Sequence, residues 1–403
     1  MQDQAIRSAS GKFHPDHPLA IASFVLLGTI GVLSFIVQPA LVQGFVTLLH
    51  LTEAQAVDLA GIEMAGVALV TVVLAFTGNL LDWRNLTMLF LMVAAAGNFA
   101  SAMATEGGWL STARFVTGLG EGGIISLSFS FVGLTRRTDF NLGIYLVVLL
   151  AYGALGVWQA PWLFATVGLK GIFLFFAVVT LLSLVTLPFL PRSSDERHGP
   201  EHQPHAGPRS PRVILLVALA GVLIYNLAQG IAWANLFLIG MAADLQEQTV
   251  ANALFISQVV AVGGALAAIV LAERIGRLPI FVVGVLGGAT CIALLLGKPA
   301  SMTFLIAVCG FNFLWNMVQP FILGAVNELD HDGLMMRAAI AMQMIGLGGG
   351  PILSARLIGD GQFTAVEWVC IGCFLVSFAM LVVPLRQRHV RNVQPHAPFA
   401  EAD

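Results

Sequence analysis

Charge is what this sequence has least of. Lys and Arg number 19 and Asp and Glu 22 in 403 residues, a charged share of 10% against an apolar share of 58%. Soluble domains carry about 25% charged residues, so a chain with mean hydropathy +0.87 is solvated by lipid. No basic patch is present to follow a phosphate backbone, which excludes nucleic acid as a partner. The net charge of −3 selects no partner of either sign. Cysteine is scarce too. Cys291, Cys309, Cys370 and Cys373 all lie in apolar runs, and Cys370-x-x-Cys373 reads as packing on a membrane helix rather than a redox pair. Histidine is missing from the runs altogether: all nine fall in loops, tails or span ends, which removes a buried imidazole as proton carrier. No span holds a nucleophile–base or metal constellation, so neither enzyme chemistry nor a cofactor is expected. Nor is there room for the added soluble domain that a sensor usually carries.

What the chain does have is long apolar runs. A membrane helix needs about 20 such residues, and runs are found near 19–45, 57–80, 86–105, 111–134, 141–163, 171–190, 213–240, 250–272, 279–297, 302–326, 334–358 and 365–385. The first is too long for a signal-peptide core and has no small-residue cleavage site at its end, so it reads as a retained span. Residues 191–212, rich in Pro, His and Arg, read as a flexible linker, and His198, His202 and His205 as solvated linker residues rather than a metal tract. The expected layout is a tail (1–18), a six-helix bundle (19–190), the linker, a second bundle (213–385) and a tail (386–403). With the N-terminus inside, the loops and tails on the cytoplasmic side collect 15 of the 19 basic residues. Arg114, Lys170, Lys298 and Arg356 are left for the other face or the membrane. The positive-inside rule therefore puts both termini and the linker in the cytoplasm, of a bacterial inner membrane.

Opposite charges nevertheless recur at matching places. GNLLDWRN (Gly78–Asn85) lies between the second and third runs, and LAERIGRLP (Leu271–Pro279) between the eighth and ninth. An offset of 191 lays Glu273 on Asp82, Gln229 on Gln38 and Asn312 on Glu121. One shift that aligns turns, intramembrane polar positions and loops implies a duplication, and internal repeats with the site at their interface are typical of secondary transporters.

On these residues the chain resembles the major facilitator superfamily. Gly78-x-x-x-Asp82-x-Arg84 looks like that family's signature loop, Glu273-Arg274-x-Gly276-Arg277 like its second copy, and Arg114-x-x-x-Gly118-x-Gly120-x-Gly122 like its span-four motif. The resemblance implies that Asp82 and Arg84, with Glu273, Arg274 and Arg277 by symmetry, hold the cytoplasmic side closed against the other half. The pattern departs at Trp83, where the family usually has Arg, and at Asn85-Leu86-Thr87, which implies a weaker first-half latch. The fifth run lacks the Gly-Pro pair of the family's antiporters, which tilts the reading away from drug export.

Inside the spans the ionisable groups are few, and such groups usually mark a pathway or a relay. Glu63 and Glu121 are the acids well inside a run. Glu121 lies seven residues from Arg114, two turns on one face and roughly 10 Å along the axis, a gap suited to a water or substrate group. Glu121 and Glu63 are therefore the candidate proton carriers, against a structural pairing of each with a neighbouring helix. The tenth run carries Asn312, Trp315, Asn316 and Gln319 on one helical face, and the seventh carries Asn226, Gln229 and Trp233. Lipid would penalise these stripes, so they face a cavity or glue helices together. As a lining, joined by Arg114, Gln38 and Tyr152 with Trp158 and Gln159, they would bind a small molecule through amides and aromatic faces. Gly118-x-Gly120-x-x-Gly123 and Gly346–Pro351 mimic nucleotide loops but lie in membrane helices and read as packing.

The expectation is an all-α membrane protein of twelve spans in two pseudo-symmetric bundles, acting as a monomer. It is read as taking up a small polar or anionic organic solute with protons. The alternative is proton-antiport export of amphipathic compounds, distinguished by the sign of the response to collapse of the proton gradient.

Overall fold

The computed structural model describes residues 14–77, 82–104, 107–193, 211–272, 277–327, 334–359 and 361–393. They fold into α1 (Pro18–Ile30), α2 (Leu33–Ile36), α3 (Gln38–Leu49), α4 (Glu53–Thr77), α5 (Trp83–Met103), α6 (Gly107–Gly133), α7 (Thr138–Thr166) and α8 (Gly168–Leu182), the last extended by a 3₁₀ turn over Ser183–Phe189. The second half holds α9 (Arg212–Ala242), α10 (Glu247–Ala272), α11 (Arg277–Ala293), α12 (Ser301–Asn327), α13 (Leu334–Ala355) and α14 (Thr364–Val393). Ten helices are long and apolar enough to cross a bilayer. α1–α3 form one interrupted span and α11 a short one, so the chain crosses twelve times in two six-helix bundles. Among the described residues the one isolated β-bridge joins Gly359 and Gln362. Most of the expected linker (194–210), together with Glu273 and Arg274, lies outside the described residues.

The first span differs from the uninterrupted helix expected over 19–45. It breaks at Gly31–Val32 and again at Val37, and runs on to Leu49. The cause of the second break is Pro39, which has no N–H for the carbonyl of Phe35 four residues earlier and whose ring crowds it. That carbonyl takes the Val37 N–H in a tight turn instead. α2 is left as one helical turn between two non-helical valines.

Close helix approaches set the bundle. α6 runs beside α4 with Gly118 against the Glu63 carbonyl and Gly122 against Val67, positions where a Cβ would strike backbone. The halves meet mainly through α13 on α4, α10 on α7 and α9 on α3. At these contacts Gly61 faces Pro351 and Ile352, Gly348 faces Met64 and Ala65, and Gly153 faces Gln258. Gly61, Pro351 and Ile352 lie toward the ends of their helices away from the linker, and Gly153 and Gln258 lie near the middles of theirs.

Candidate functional site

Arg114 is fully buried, and every nitrogen of its guanidinium is engaged. Nε donates to Glu63 Oε2 at 3.1 Å and Nη2 to Glu63 Oε1, a two-point ion pair between α6 and α4. Nη1 donates to Asn98 Oδ1 of α5 at 3.0 Å, and Nη2 also donates to the Ser34 hydroxyl at 2.7 Å. The ring of Phe173, from α8, lies 4.9 Å from the guanidinium carbon. Gly118 explains the reach: one turn beyond Arg114, it lets α6 lie against the α4 backbone at Glu63.

Ser34 occupies the gap expected between Arg114 and Glu121. Its hydroxyl accepts from Arg114 and donates to Glu121 Oε1 at 3.0 Å. Glu121 is 2% exposed and Glu63 5%. The cluster therefore contains one guanidinium and two carboxyl groups. It is neutral with one proton bound and carries one uncompensated negative charge without it. Glu63 holds the cation, which makes Glu121 the carboxyl without a counter-charge of its own. The duplication does not repeat this charge: the 191-residue offset puts Leu254 and Leu305 at the places of Glu63 and Arg114.

Arg114 is thus placed inside the first bundle as the hub of a polar network, engaged by protein on all sides rather than offered to a solute. Ser34 and Asn98 were not singled out from the sequence. A serine in an apolar helix usually satisfies its hydroxyl on its own backbone and leaves no signal. Asn98, alone among small residues on α5, was the detectable one. Glu367, 3% exposed in the first turn of α14, was also passed over, because its place near a span end made it look solvated.

The amide and aromatic stripes divide in two. Asn312 is buried and donates to the Ser257 hydroxyl of α10 at 2.8 Å, an interhelical bond. Asn316 turns back to the Asn312 carbonyl at 3.0 Å. Gln319 is half-buried, and both polar atoms of its amide lack a hydrogen-bond partner. Trp315 is half-buried beside Phe311, ring centroids 5.8 Å apart, and meets Trp233 of α9 edge to face at 6.1 Å. Trp315 also borders the patch of Met64, Val67 and Leu347, where the halves meet. Gln38 and Gln229, equivalent under the 191-residue offset, are 3% and 2% exposed and each has an unpartnered Oε1. Asn226 is buried with Nδ2 on the Val222 carbonyl and Oδ1 unpartnered. Tyr152 gives its hydroxyl to the Leu33 carbonyl at 2.8 Å. Trp158 and Gln159 are exposed, and the Trp158 ring lies 6.0 Å from Phe255 of the other half. Of the expected lining, Trp315 is half-buried, and the Gln319 amide is enclosed with its hydrogen-bonding capacity unused.

At the linker end, Asp82 is the N-cap of α5, its carboxylate accepting the Asn85 N–H at 3.0 Å. Arg84 donates to the carbonyls of Pro188 and Leu190, and the Trp83 N–H to that of Arg192. These contacts tie α5 to the start of the linker within the first half. Arg277 opens α11, with its guanidinium near Gly324 of α12.

A family model described as Major Facilitator Superfamily matches residues 19–329. Among solved structures the chain is similar to the nucleoside transporter NupG, with TM-score 0.68 and 12% identity over 91% of this chain and 99% of that one. It is similar to a bacterial homologue of the human lysosomal transporter Spinster, described as inward-facing and unoccupied, with TM-score 0.65 and 14% identity over 94% and 98%. The xylose transporter XylE from E. coli, in a partially occluded inward-open conformation, gives TM-score 0.66 and 15% identity over 89% and 97%. Identities this low speak for the fold alone. No curated protein matches the chain.

Proposed function

The chain belongs to the major facilitator superfamily, and on that premise we propose that it takes up a small polar organic solute by alternating access, driven by protons. The basic-residue asymmetry supports a bacterial inner membrane with the linker end in the cytoplasm. The single observation that carries the coupling is the cluster itself: one guanidinium, two carboxyl groups, and Glu121 lacking its own cation. A buried charge without a partner is costly, so taking up and releasing one proton there has a large energetic lever. Of the two solute classes expected, polar and anionic, the engagement of Arg114 favours the neutral polar one. Trp315 would supply an apolar face and Gln319 an orienting amide. The aromatic group of Phe311, Trp315 and Trp233 keeps a second reading in play, export of amphipathic compounds against protons.

The test is a thermal-shift panel on the purified chain with sugars, nucleosides, amino acids, organic acids and lipophilic drugs. A ligand at 100 times its Kd stabilises by about 2.7 kcal/mol, and neutral polar compounds are expected to give the concentration-dependent hits. A hit is then followed in cells. Uptake predicts that a protonophore abolishes accumulation; a protonophore that raises accumulation would establish export instead.

A further inference from the structure

We propose that the short segment Leu33–Ile36 transmits the state of the charge cluster to the contact between the two halves, with Ser34 as its input and the Phe35 carbonyl as its output. The inference rests on the alternating-access reading given above. Three consecutive residues carry it. Leu33 presents its carbonyl to the Tyr152 hydroxyl of α7 at 2.8 Å. The Ser34 hydroxyl accepts from Arg114 and donates to Glu121. The Phe35 carbonyl accepts the indole N–H of Trp233 at 2.9 Å, and Trp233 belongs to the other half, 198 residues away. One helical turn thus touches the cluster on one side and the opposite bundle on the other.

The sequence explains why this turn is available. Pro39 deprives the Phe35 carbonyl of a regular helical donor, so the carbonyl is open to an indole from outside. Val32 and Val37 leave the helical region on either side, so α2 is not braced by the hydrogen bonds of α1 or α3. Its polar contacts are to four side chains, Tyr152, Arg114, Glu121 and Trp233, and a change of partner at one of them shifts the segment against the others.

Glu121 is faced by Ser34 from α2, Glu63 from α4, Tyr152 from α7 and Arg114 from its own helix. As a carboxylate it is an acceptor for the Ser34 O–H. With a proton bound it is neutral and gains an O–H donor, so the bond from Ser34 loses its charge assistance and can reverse, the Ser34 hydroxyl then accepting from Glu121 as well as from Arg114 and turning its own proton elsewhere. The rearrangement shifts Phe35 relative to Trp233 and biases the contact between the halves. The second half does not repeat these residues: Tyr225 stands at the place of Ser34 and Leu305 at that of Arg114. Input from the cluster enters through the first bundle alone.

The experiment places spin labels at Val167 and Gln246, exposed positions in opposite halves at the end away from the linker. Distance distributions are measured on the full chain in lipid nanodiscs. Alternating access predicts a short and a long population. Glu121→Gln is expected to change their ratio roughly three- to tenfold, about the scale of one buried hydrogen bond. The same substitution on a Ser34→Ala or a Trp233→Phe background is expected to change it less than about twofold. Trp233→Phe keeps a ring and removes the donor. An unchanged Glu121→Gln effect on both backgrounds overturns the inference and leaves the transport reading standing. No Glu121→Gln effect in the parent chain overturns it as well. A single distance in every chain overturns both the inference and the alternating-access reading. Should Glu121→Gln fail to fold, Ser34→Ala and Trp233→Phe are combined. Non-additive shifts support the link, and additive ones overturn it.

Discussion

The guanidinium of Arg114 meets both carboxylate oxygens of Glu63, fifty-one residues earlier in the chain and one helix away. Both are buried, so the pair is a structural commitment of the first bundle. Removing one partner of a buried pair costs about 3–5 kcal/mol, because the other charge is stranded. Glu63→Leu and Arg114→Met are each expected to lower thermal stability in detergent steeply. The double variant Glu63→Leu/Arg114→Met should recover a large part of the loss. A double variant as unstable as the sum of the singles would show that the pair's charges are not what holds α4 to α6.

Gly61 approaches Ile352 across the halves, and a Cβ there would lie 2.5 Å from Ile352 Cγ1 and 2.9 Å from its backbone nitrogen. Gly61→Val is expected to hold the halves apart at the end away from the linker. Cysteine-labelling rates at that end should then rise severalfold. Gly372→Ala, where a Cβ meets nothing within 4 Å, is the control. It should leave labelling unchanged and gain up to ~1 kcal/mol of helix stability. Equal labelling in the Gly61→Val and parent chains would refute the role given to this contact.

Asp82 does two separable things. As an N-cap it satisfies the Asn85 N–H, and its charge is proposed to latch the linker end when the halves close there. Asn caps about as well as Asp, whereas Ala costs about 1 kcal/mol. Asp82→Ala should therefore lose stability, while Asp82→Asn keeps it and raises cysteine accessibility on the linker side of the cavity. If accessibility stays at the parent level in both Asp82→Asn and Glu273→Gln, the latch is removed from the account.

The face of α12 is expected to split by function. Trp315→Ala and Gln319→Ala should weaken ligand binding about tenfold or more, the equivalent of roughly 1.4 kcal/mol, with little loss of folding. Asn312→Ala should chiefly destabilise, since it removes the buried bond between α12 and α10 and leaves the Ser257 hydroxyl only its bond to the Leu254 carbonyl. Leu314, packed against Gly287, is the control, and Leu314→Ala should spare binding. Equal binding losses at Trp315, Gln319 and Leu314 would move the site elsewhere.

Coupling is tested at Glu121. Glu121→Gln mimics the protonated state, so it should exchange labelled for unlabelled solute across the membrane at near the parent rate. Accumulation driven by an imposed pH gradient should fall to background. Gradient-driven accumulation that survives in Glu121→Gln would pass the carrier role to Glu63.

The twelve crossings were legible because hydropathy and turn chemistry are local: lipid demands about 20 apolar residues wherever the chain crosses. The duplication was legible for the same reason, and Gln38 and Gln229, matched by offset alone, have the same burial and the same unpartnered oxygen. Helical periodicity likewise put Arg114 and Glu121 on one face. Which helix lies opposite that face is not a local property. It follows from where glycines allow backbones to close, and Gly118 against Glu63 decided that Arg114 would be held by protein. Pro39 breaks the first span where an unbroken helix was expected, and only the packing of the two bundles brought Trp233 to the carbonyl it freed. A side chain's neighbours in sequence are set by the chain, whereas its partner across a gap is set by the azimuth and depth of another helix, and those exist only once all twelve are packed.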